Sequence, residues 1–381
     1  MRTVGVEEEL LLVDQDSGVP TAIAERLLKR WQSEAGSDPA TDGCFEDEAD
    51  EAFAGMIEGE LQQQQIEVDS PPCTSLADLE RQIGDWRRRA DELARAVGGR
   101  AVAIATSPVE VSPTVRPVAR YRKMVERFGL TTAEQLTCGC HVHVGVDSPE
   151  EGIAAIDRIR VWLPVLIALS VNSPFWQGAD SGYASFRSQA WKRFPTAGPT
   201  DPFGTVAAYR TRVSDLLGSD VPLDEGMIYF DARLSHRYPT VEVRVADVCL
   251  TADDAVLVAG LVRALVEAAV RDWADSKPAP DLHTDLIRMA SWRASRSGVN
   301  GRLIDPRTGR PQPAWDVIEA LFAHVRPAAE AFGDDECLRH RLDRLRDRGP
   351  GANWQRSTYE ATGSLRNVIL QAADRTLEEG C

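Results

Sequence analysis

The chain has 381 residues, of which 43% are hydrophobic and 27% charged, and it carries a formal net charge of −16 at pH 7. These values are ordinary for a globular domain and exclude a disordered or low-complexity chain. Because the excess charge is acidic and no basic run occurs, nucleic acid and anionic membrane surfaces are excluded as expected partners. The acidic stretch FEDEADE at 45–51 predicts a solvated loop.

Cysteine usage and hydropathy indicate the compartment. Seven cysteines occur at irregular spacing, and the start MRTVGVEEEL lacks the apolar segment of a signal peptide. The longest apolar run, at 161–171, is too short to cross a bilayer and contains Pro164. We therefore expect a cytoplasmic protein with free thiols. Arginine supplies 39 of the 43 basic residues, so any bound anion should be held mainly by arginine.

Strand-like and helix-like stretches fill the chain. Strands are expected at 2–13, 60–69, 100–106, 138–146, 227–234 and 239–248. Helices are expected at 21–33, 75–97, 116–128, 148–172, 203–217, 252–274, 281–297, 314–331, 335–347 and 364–379. The last two strands are separated only by SHRYP, which predicts a hairpin and hence an antiparallel sheet. The pattern predicts one α+β domain over 1–381, with a sheet core over about 1–310 and a helical segment over about 311–381.

Residues 137–146, TCGCHVHVGV, place two cysteines and two histidines within six positions, as a zinc site would. In a strand, however, successive side chains point to opposite faces. Cys138 and Cys140 then lie on one face, and His141 and His143 on the other. The four side chains cannot converge on one tetrahedral zinc ion. The stretch instead predicts a strand with one buried face and one face that carries two imidazoles.

The same alternation of polar and apolar positions occurs in four other strands. The polar rows are Glu7 with Glu9, Gln63 with Gln65, Glu67 and Asp69, His141 with His143, Asp231 with Arg233, and Glu242 with Arg244. In the last strand, Thr240 and Ala246 are expected to extend the row, while Val241, Val243 and Val245 form the underside. One such row alone is also what a solvated face of an antiparallel sheet looks like. Glutamate, histidine and arginine in five strands favour a functional face.

If these strands are neighbours, one face of the sheet is a basin of carboxylates and imidazoles with arginines at its edge. Carboxylates do not crowd together without compensation, so hard divalent cations such as Mg²⁺ or Mn²⁺ are expected there. Each arginine beside the cations would bind two phosphate oxygens at once, in a bidentate contact. This combination predicts phosphoryl transfer from a nucleotide. The sequence contains no P-loop, no G-x-S-x-G elbow and no H-E-x-x-H motif.

Five motifs in order along the chain resemble the carboxylate–amine ligase family, the bacterial glutamate–cysteine ligases of type 2. They are GVEEELLLVD, CGCHVHVGV, FRSQAWKRFPTAGP, PTVEVRVADV and WRASRSGVNGRLIDPRTG. The resemblance runs from residue 4 to about 310, and GANWQRSTYEATGSL at 351–365 resembles the family's C-terminal helical segment. It implies a glutamine-synthetase-like catalytic fold, whose curved antiparallel sheet is backed by helices and binds ATP and Mg²⁺, with Mn²⁺ as a substitute.

The resemblance also implies a reaction. Glutamate would be joined to L-cysteine through an acyl phosphate, giving γ-glutamylcysteine, ADP and phosphate, a step of glutathione or low-molecular-weight thiol biosynthesis. The partners would be small molecules, namely amino acids and ATP, and a homodimer is compatible with the sequence. Four alternatives stay open: the same chemistry with another amine or acid, a phosphagen-type kinase, a metal-dependent hydrolase, and a nucleotide-binding relative without catalysis.

The resemblance assigns roles position by position. Metal ligands are implied at Glu7, Glu9, Glu67, His143 and Glu242. Arg244, beside Glu242, would stabilise the transferring phosphoryl group, and Arg187 and Arg233 would contact nucleotide phosphate or a substrate carboxylate. His141 is ranked behind His143, as a structural imidazole, and Asp231 would orient Arg233 or a metal-bound water. Two positions depart from the family pattern and bear on the acid or amine pocket, Cys140 and Ala290.

Overall fold

The computed structural model describes residues 2–35 and 56–378. The acidic stretch at 45–51 lies outside the described residues. Within these ranges, no helix combines the length and the hydrophobicity that a membrane span requires.

The described residues contain eleven strands. They are β1 (Val4–Asp14), β2 (Ile57–Gly59), β3 (Gln65–Asp69), β4 (Gly99–Val102), β5 (Gly139–Gly145), β6 (Phe175–Trp176), β7 (Ala179–Asp180), β8 (Ala232–Leu234), β9 (Thr240–Asp247), β10 (Arg302–Asp305) and β11 (Arg310–Pro313). Seven of them form one antiparallel sheet in the order β2–β3–β1–β5–β9–β8, with β4 paired to the C-terminal part of β1. The pairs β6–β7 and β10–β11 are separate ribbons.

The sheet confirms the predicted α+β class and the predicted hairpin. β8 pairs with β9 in antiparallel register, with Arg233 opposite Glu242. All six expected strands are present, although each differs at its ends from the predicted range. The pattern did not predict β2, β6, β7, β10 and β11, which have only two to four residues each. Segments this short contain too few residues to show a period.

Fourteen helices surround the sheet in the described ranges. They are α1 (Ala24–Ala35), α2 (Leu76–Arg95), α3 (Ala119–Phe128), α4 (Leu130–Ala133), α5 (Pro149–Ile159), α6 (Leu163–Ser170), α7 (Arg187–Trp191), α8 (Val206–Gly218), α9 (Ala252–Ala274), α10 (Thr284–Ser297), α11 (Ala314–Phe332), α12 (Asp335–Arg348), α13 (Gly351–Thr362) and α14 (Leu365–Thr376). The single helix expected over 148–172 is wrong, because α5 and α6 are separate. Pro164 lies in the first turn of α6, where its missing N–H costs no hydrogen bond.

A layer of helices covers one face of the sheet. The long helix α9 is at the centre of this layer and packs on α5, α11, α2 and the strands β1 and β5. Its side chains share a core with the valines on the underside of β5 and β9, including Val142 and Val243. The burial of these apolar rows fixes the register of the strands. The alternate, polar positions are therefore directed to the opposite face.

The three consecutive glutamates of β1 show this division. Glu8 faces the helices and forms a bidentate ion pair with Arg87 of α2, with Nε–Oε2 and Nη2–Oε1 distances of 2.8 and 2.7 Å. Both side chains are almost completely buried, and Arg87 also donates to three backbone carbonyl oxygens. Glu7 and Glu9 point to the other face. Glu8 is thus structural, whereas its two neighbours are available for chemistry.

A bulge in β9 changes the end of its polar row. Val142 pairs with Val243, but Cys140 pairs with Ala246, so β9 has one extra residue between these pairs. One extra residue moves all following side chains to the opposite face. The expectation that Ala246 extends the polar row is therefore wrong, since Ala246 lies with Cys140 in the core beneath the sheet. Asp247, opposite Gly139, takes the place on the other face.

Candidate active site

The polar face of the sheet is the floor of a cavity. Its strands contribute Glu7, Glu9, Gln65, Glu67, Asp69, His141, His143, Arg233, Glu242 and Arg244 to the lining. The polar rows that the alternation predicted therefore meet in one place, apart from Gln63 and Asp231. Both exceptions precede the regular part of their strands, which begin at Gln65 and Ala232.

Carboxylates crowd the side of the cavity formed by β1, β2 and β3. The lining residues of this side are Glu7, Glu9, Glu58, Glu60, Glu67 and Asp69. Burial and the neighbouring carboxylates raise the pKa of Glu67 well above its usual value, and they raise the pKa of Asp69 to about 8. Burial and Glu60 likewise raise the pKa of Glu9 to about 7. This electrostatic repulsion is what a bound cation would relieve.

Two imidazoles bracket Glu7 at the centre of the floor. His143 Nε2 lies 2.9 Å from Glu7 Oε1, and His141 Nδ1 lies 3.1 Å from Oε2. Burial opposes the charge of Glu7, but His143 and His141 outweigh it and hold the pKa of Glu7 well below its usual value. Burial and the nearby Arg244 lower the pKa of His141 to about 4. His141 is therefore neutral at pH 7, the form in which an imidazole can bind a metal.

Arginines occupy the opposite side of the cavity and hold Glu242. Arg233 binds this carboxylate in a bidentate manner, with Nε–Oε2 and Nη2–Oε1 distances of 2.6 and 3.1 Å, and Arg244 Nη1 donates to Oε1 as well. Despite burial, Arg244 and Arg233 lower the pKa of Glu242 to about 2. A carboxylate has about four lone-pair positions, so Glu242 can accept from both arginines and still bind a cation.

Among the described residues, two clusters of side chains could hold metal ions. One consists of Glu7, Glu67 and Asp69, and the other of Glu7, His141 and Glu242. In each cluster, one ligand atom per residue lies within 4.8 Å of the others. Four of these five side chains offer carboxylate oxygens, which suit Mg²⁺ or Mn²⁺. Because Glu7 belongs to both clusters, one carboxylate could bridge two ions.

The clusters overlap only in part with the ligand set that the resemblance implies. Glu9 and His143 line the cavity but belong to neither cluster, and His143 Nδ1 lies 2.9 Å from Thr240 Oγ1. Asp69 and His141 belong to one cluster each. Both are visible in the sequence as members of polar rows, but alternation alone does not say which member of a row reaches a metal.

Arg187 lies next to the floor rather than in the main cavity. It begins α7 and lines a small void together with Lys192, Asp231 and Arg244. A Cβ atom on Gly139 would lie only 2.2 Å from Arg187 Nη2, so the guanidinium fits over β5 because residue 139 is a glycine. Asp231, which was expected to share the face of Arg233, does not line the main cavity. Asp231 precedes the regular part of β8 and lies on the side of Arg187.

An apolar wall completes the cavity. It consists of Leu61, Tyr121, Met124, Trp191, Phe194 and Tyr229. The rings of Trp191 and Tyr229 are 4.7 Å apart between centroids, and those of Phe194 and Tyr229 are 5.3 Å apart. Sequence reasoning missed this wall, because its residues come from separate segments with no common spacing. The wall offers an apolar surface next to the charged floor, suited to a base or an apolar side chain.

Solved structures share this fold over almost the whole chain. A glutamate–cysteine ligase from Francisella tularensis in complex with AMP has a TM-score of 0.67 and 14% identity, covering 99% of this chain and 88% of that one. A bifunctional glutathione synthetase from Pasteurella multocida has a TM-score of 0.68 and 16% identity, covering 99% of this chain and 52% of that one. Identities this low show the fold alone. The fold is that of the glutamate–cysteine ligases, which confirms the predicted glutamine-synthetase-like catalytic fold.

The sequence defines the family more narrowly. A model of the glutamate-cysteine ligase family 2 (GCS2) matches residues 3–371. A protein from Streptomyces avermitilis, provisionally named glutamate–cysteine ligase 2-1, is 47% identical over 99% of both chains. A protein of the same provisional name from Paenarthrobacter aurescens is 48% identical over 100% of this chain and 96% of its own. The chain belongs to the glutamate–cysteine ligase family 2, and the family resemblance predicted from the five motifs is confirmed.

Proposed function

We propose that this protein is an ATP-dependent carboxylate–amine ligase, with glutamate and L-cysteine as its substrates. The observation that carries the proposal is a single cavity in which crowded carboxylates and imidazoles face Arg233 and Arg244. A hydrolase would use the metal-binding half of this cavity, but the paired arginines opposite it suit an anion with several oxygens, such as a transferring phosphoryl group. The Francisella tularensis ligase, which shares this fold, was solved in complex with AMP, which supports the use of a nucleotide.

The side chains suit Mg²⁺ or Mn²⁺. Glu7, Glu67 and Asp69 would hold one ion, and Glu7, His141 and Glu242 a second. When bound, these ions supply positive charge that offsets the phosphate oxygens of ATP and the carboxylates of the floor. Glu9 and His143 would then support the metal ligands rather than bind the ions. Glu9 accepts a hydrogen bond from Gly139 N at 2.5 Å, and His143 Nε2 lies 2.9 Å from Glu7 Oε1.

The proposed reaction has two steps. The γ-carboxylate oxygen of glutamate attacks the γ-phosphorus of ATP, and the bond to the bridging oxygen breaks, giving an acyl phosphate and ADP. The amino nitrogen of cysteine then attacks the acyl carbon, loses a proton, and displaces inorganic phosphate. Arg244 and Arg233 stabilise the oxygens of the phosphoryl group in both steps. Glu242 orients both guanidinium groups: it takes one N–H donor of Arg244 and the Nε and Nη2 donors of Arg233, so Arg244 keeps more N–H groups for the phosphoryl oxygens than Arg233 does.

The two departures from the family pattern do not alter this choice of substrates. Cys140 is completely buried beneath the sheet, and Ala290 is buried within α10. Neither residue lines the cavity. They give no reason to expect an amine other than cysteine. An altered amine would have to be recognised by the apolar wall or by the rim of the cavity.

The test is phosphate release from Mg·ATP with glutamate and a panel of amines that includes cysteine. Cysteine-dependent release together with γ-glutamylcysteine, identified by its mass, is the expected result. Release with a different amine would keep the ligase and change its substrate. A phosphorylated product without any amine would indicate a kinase, and release without acid or amine a hydrolase.

A pair of glutamate variants ties activity to the cavity. Glu242→Gln should abolish ligation, because it removes a carboxylate of the second metal cluster and frees the arginines. Glu319→Gln is the matched control, since Glu319 also contacts two arginines, Arg339 and Arg346, but on the surface between α11 and α12. Equal turnover of both variants would reject the metal assignment. Absence of turnover in the wild type, despite Mg·ATP binding, would indicate a relative without catalysis.

A further inference from the structure

One histidine of the floor has a partner that lies outside the main cavity. Thr240, the first residue of β9, is opposite Gly145 in the β5–β9 register, and Glu242 is opposite His143. Diagonal neighbours on one face of an antiparallel pair are within reach of each other, so Thr240 and His143 can meet. Thr240 Oγ1 lies 2.9 Å from His143 Nδ1. The hydroxyl and the ring are therefore joined across the two strands.

Thr240 does not line the main cavity, whereas His143 does. The threonine lines instead a second cavity of about 660 Å³, together with Arg2, Gly145 and Pro239. It therefore lies between the two cavities, and it reaches the polar floor through the imidazole of His143. Any effect of Thr240 on the site should be transmitted by this ring.

The ring of His143 is held on two sides. Thr240 binds Nδ1, and the ring of Tyr238 packs edge-on, with 6.2 Å between the ring centroids and 82° between the ring planes. The other nitrogen, Nε2, is buried and lies 2.9 Å from Glu7 Oε1. In the part of the chain that the structure describes, Nε2 makes no aligned hydrogen bond. The position of Nε2 beside Glu7 thus depends on the contacts of the rest of the ring.

A hydroxyl group suits this place because it can both donate and accept a hydrogen bond. It binds Nδ1 whether or not that nitrogen carries a proton. Valine in place of Thr240 would have a similar shape but no hydrogen bond to offer. Without a partner at Nδ1, the imidazole of His143 can rotate or turn over about χ2, since this torsion is broad and roughly two-fold. Either movement would change the atom that faces Glu7.

We propose that Thr240 is a positioning residue that orients the ring of His143 so that Nε2 faces Glu7. Glu7 belongs to both clusters that could hold metal ions, so the orientation of its carboxylate bears on both ions. The consequence for metal binding rests on the proposed function. The orientation of the ring is a property of the metal-free protein and can be measured separately.

The first test reads the histidine rings of the metal-free protein by nitrogen NMR. Thr240→Val should shift the ring nitrogens of His143, and Thr240→Ser should restore them, because serine keeps the hydroxyl. The ring of His324, which stacks on Trp162, should not change in any variant. Unchanged nitrogen shifts of His143 in Thr240→Val would overturn the proposal.

Thr106→Val is the matched control for both tests. The hydroxyl of Thr106 is also buried, donates to Phe175 O at 2.7 Å, and does not line the main cavity. This variant should therefore leave the ring of His143 and the affinity for metal as they are in the wild type.

The second test measures the Mn²⁺ affinity of the nucleotide-free protein by calorimetry. Loss of a direct partner of a metal ligand typically costs 10–100-fold, and His143 lies between Thr240 and Glu7, so Thr240→Val should weaken binding by about tenfold. Thr240→Ser should lose clearly less. In a double-mutant cycle, Thr240→Val should add little to His143→Phe, because both changes interrupt the same route. Additive losses, or wild-type affinity in Thr240→Val, would overturn the proposal.

A merely structural role for the hydroxyl predicts a lower melting temperature with unchanged ring shifts and unchanged Mn²⁺ affinity, which would also overturn the proposal. If Thr240→Val does not fold, Thr240→Ala replaces it with the same expected results. If the wild type binds no Mn²⁺, the metal sites of the proposed function fail, and the ring shifts of His143 alone decide on Thr240.

Discussion

Replacing Glu67 by glutamine should weaken metal binding without destabilising the metal-free protein. Glu67 is half-buried beside Glu9, its partner in the β1–β3 register, and no described cation forms an ion pair with it. Burial and the adjacent carboxylates raise its pKa well above the usual value, so its charge opposes folding. Glutamine has the same shape and no charge. We therefore expect the stability of the metal-free variant to equal or exceed that of the wild type.

The size of the metal effect can be worked out. A ligand at a hundred times its Kd stabilises the folded state by about 2.7 kcal/mol. At about 2.1 cal/mol/K per residue, a chain of 381 residues has an unfolding entropy of roughly 0.8 kcal/mol/K, so Mg²⁺ should raise the wild-type Tm by about 3 °C. Glu67→Gln should lose at least half of this rise, because it removes one ligand of the first cluster.

Glu8→Gln provides the opposite control on the same sheet. Glu8 is 2% exposed and paired with the buried Arg87, so removing its charge leaves a buried guanidinium uncompensated. Such a loss costs about 3–5 kcal/mol, or roughly 4–6 °C in Tm at the same entropy. The Mg²⁺-dependent rise should persist in full. Calorimetric melts in EDTA and in saturating Mg²⁺ measure both quantities, and the reverse pattern in the two variants would refute the division of roles.

Three further changes test other parts of the site. Without metal, the free energy of unfolding should fall as the pH rises from about 4 to 8. The reason is that the folded state keeps Asp69 protonated up to a pKa of about 8 and so binds more protons than the unfolded chain. Urea midpoints in EDTA at several pH values measure this fall, and a midpoint that rises with pH would contradict it. Arg244→Lys should lower kcat at least about tenfold at saturating Mg·ATP, since one ammonium cannot replace a planar fork; wild-type phosphate release would refute the assignment. Gly139→Ala should weaken Mg·ATP binding about tenfold, because its Cβ would meet Arg187 Nη2 at 2.2 Å. Gly84→Ala, inside α2 with its nearest contact at 3.4 Å, should bind as the wild type does and gain about 0.5–1 kcal/mol of stability in urea melts.

The sequence predicted the floor of the site because strand geometry leaves little freedom. Because side chains alternate along a strand, Glu8 is assigned to the opposite face from Glu7 and Glu9, and Cys140 to the opposite face from His141, without knowledge of the fold. The same rule failed where the chain leaves regular strand geometry. The bulge in β9 directs the side chain of Ala246 into the core, and the irregular entry to β8 leaves Asp231 outside the main cavity. Neither deviation has a glycine or proline that would announce it.

Other parts of the site depend on tertiary convergence. The apolar wall joins Leu61, the helix α3, the helix α7 and the segment before β8, and no local pattern connects these four segments. Arg187 was found only through the family resemblance, because one arginine in ASFRSQAW has no period or partner in the sequence. Its signal is structural, namely the absent side chain at Gly139 that leaves room for its guanidinium. A glycine in the middle of a polar strand row therefore predicts a close approach by another group.

The arrangement of charge suits the proposed ligase, which would use metal-bound nucleotide. On one side, the unpaired carboxylates would repel the phosphates of ATP, and on the other, Glu242 neutralises part of the charge of Arg233 and Arg244. Neither side alone binds a polyphosphate well. Cations bound to the carboxylates make the charge of that side positive, so that both sides of the cavity attract the phosphate oxygens. Glu7 lies at the boundary and belongs to both clusters, so the metal sites and the arginine side are coupled through one carboxylate. Binding of metal and of nucleotide should consequently reinforce each other, which keeps the phosphoryl donor from binding until the charges that stabilise its transfer are in place.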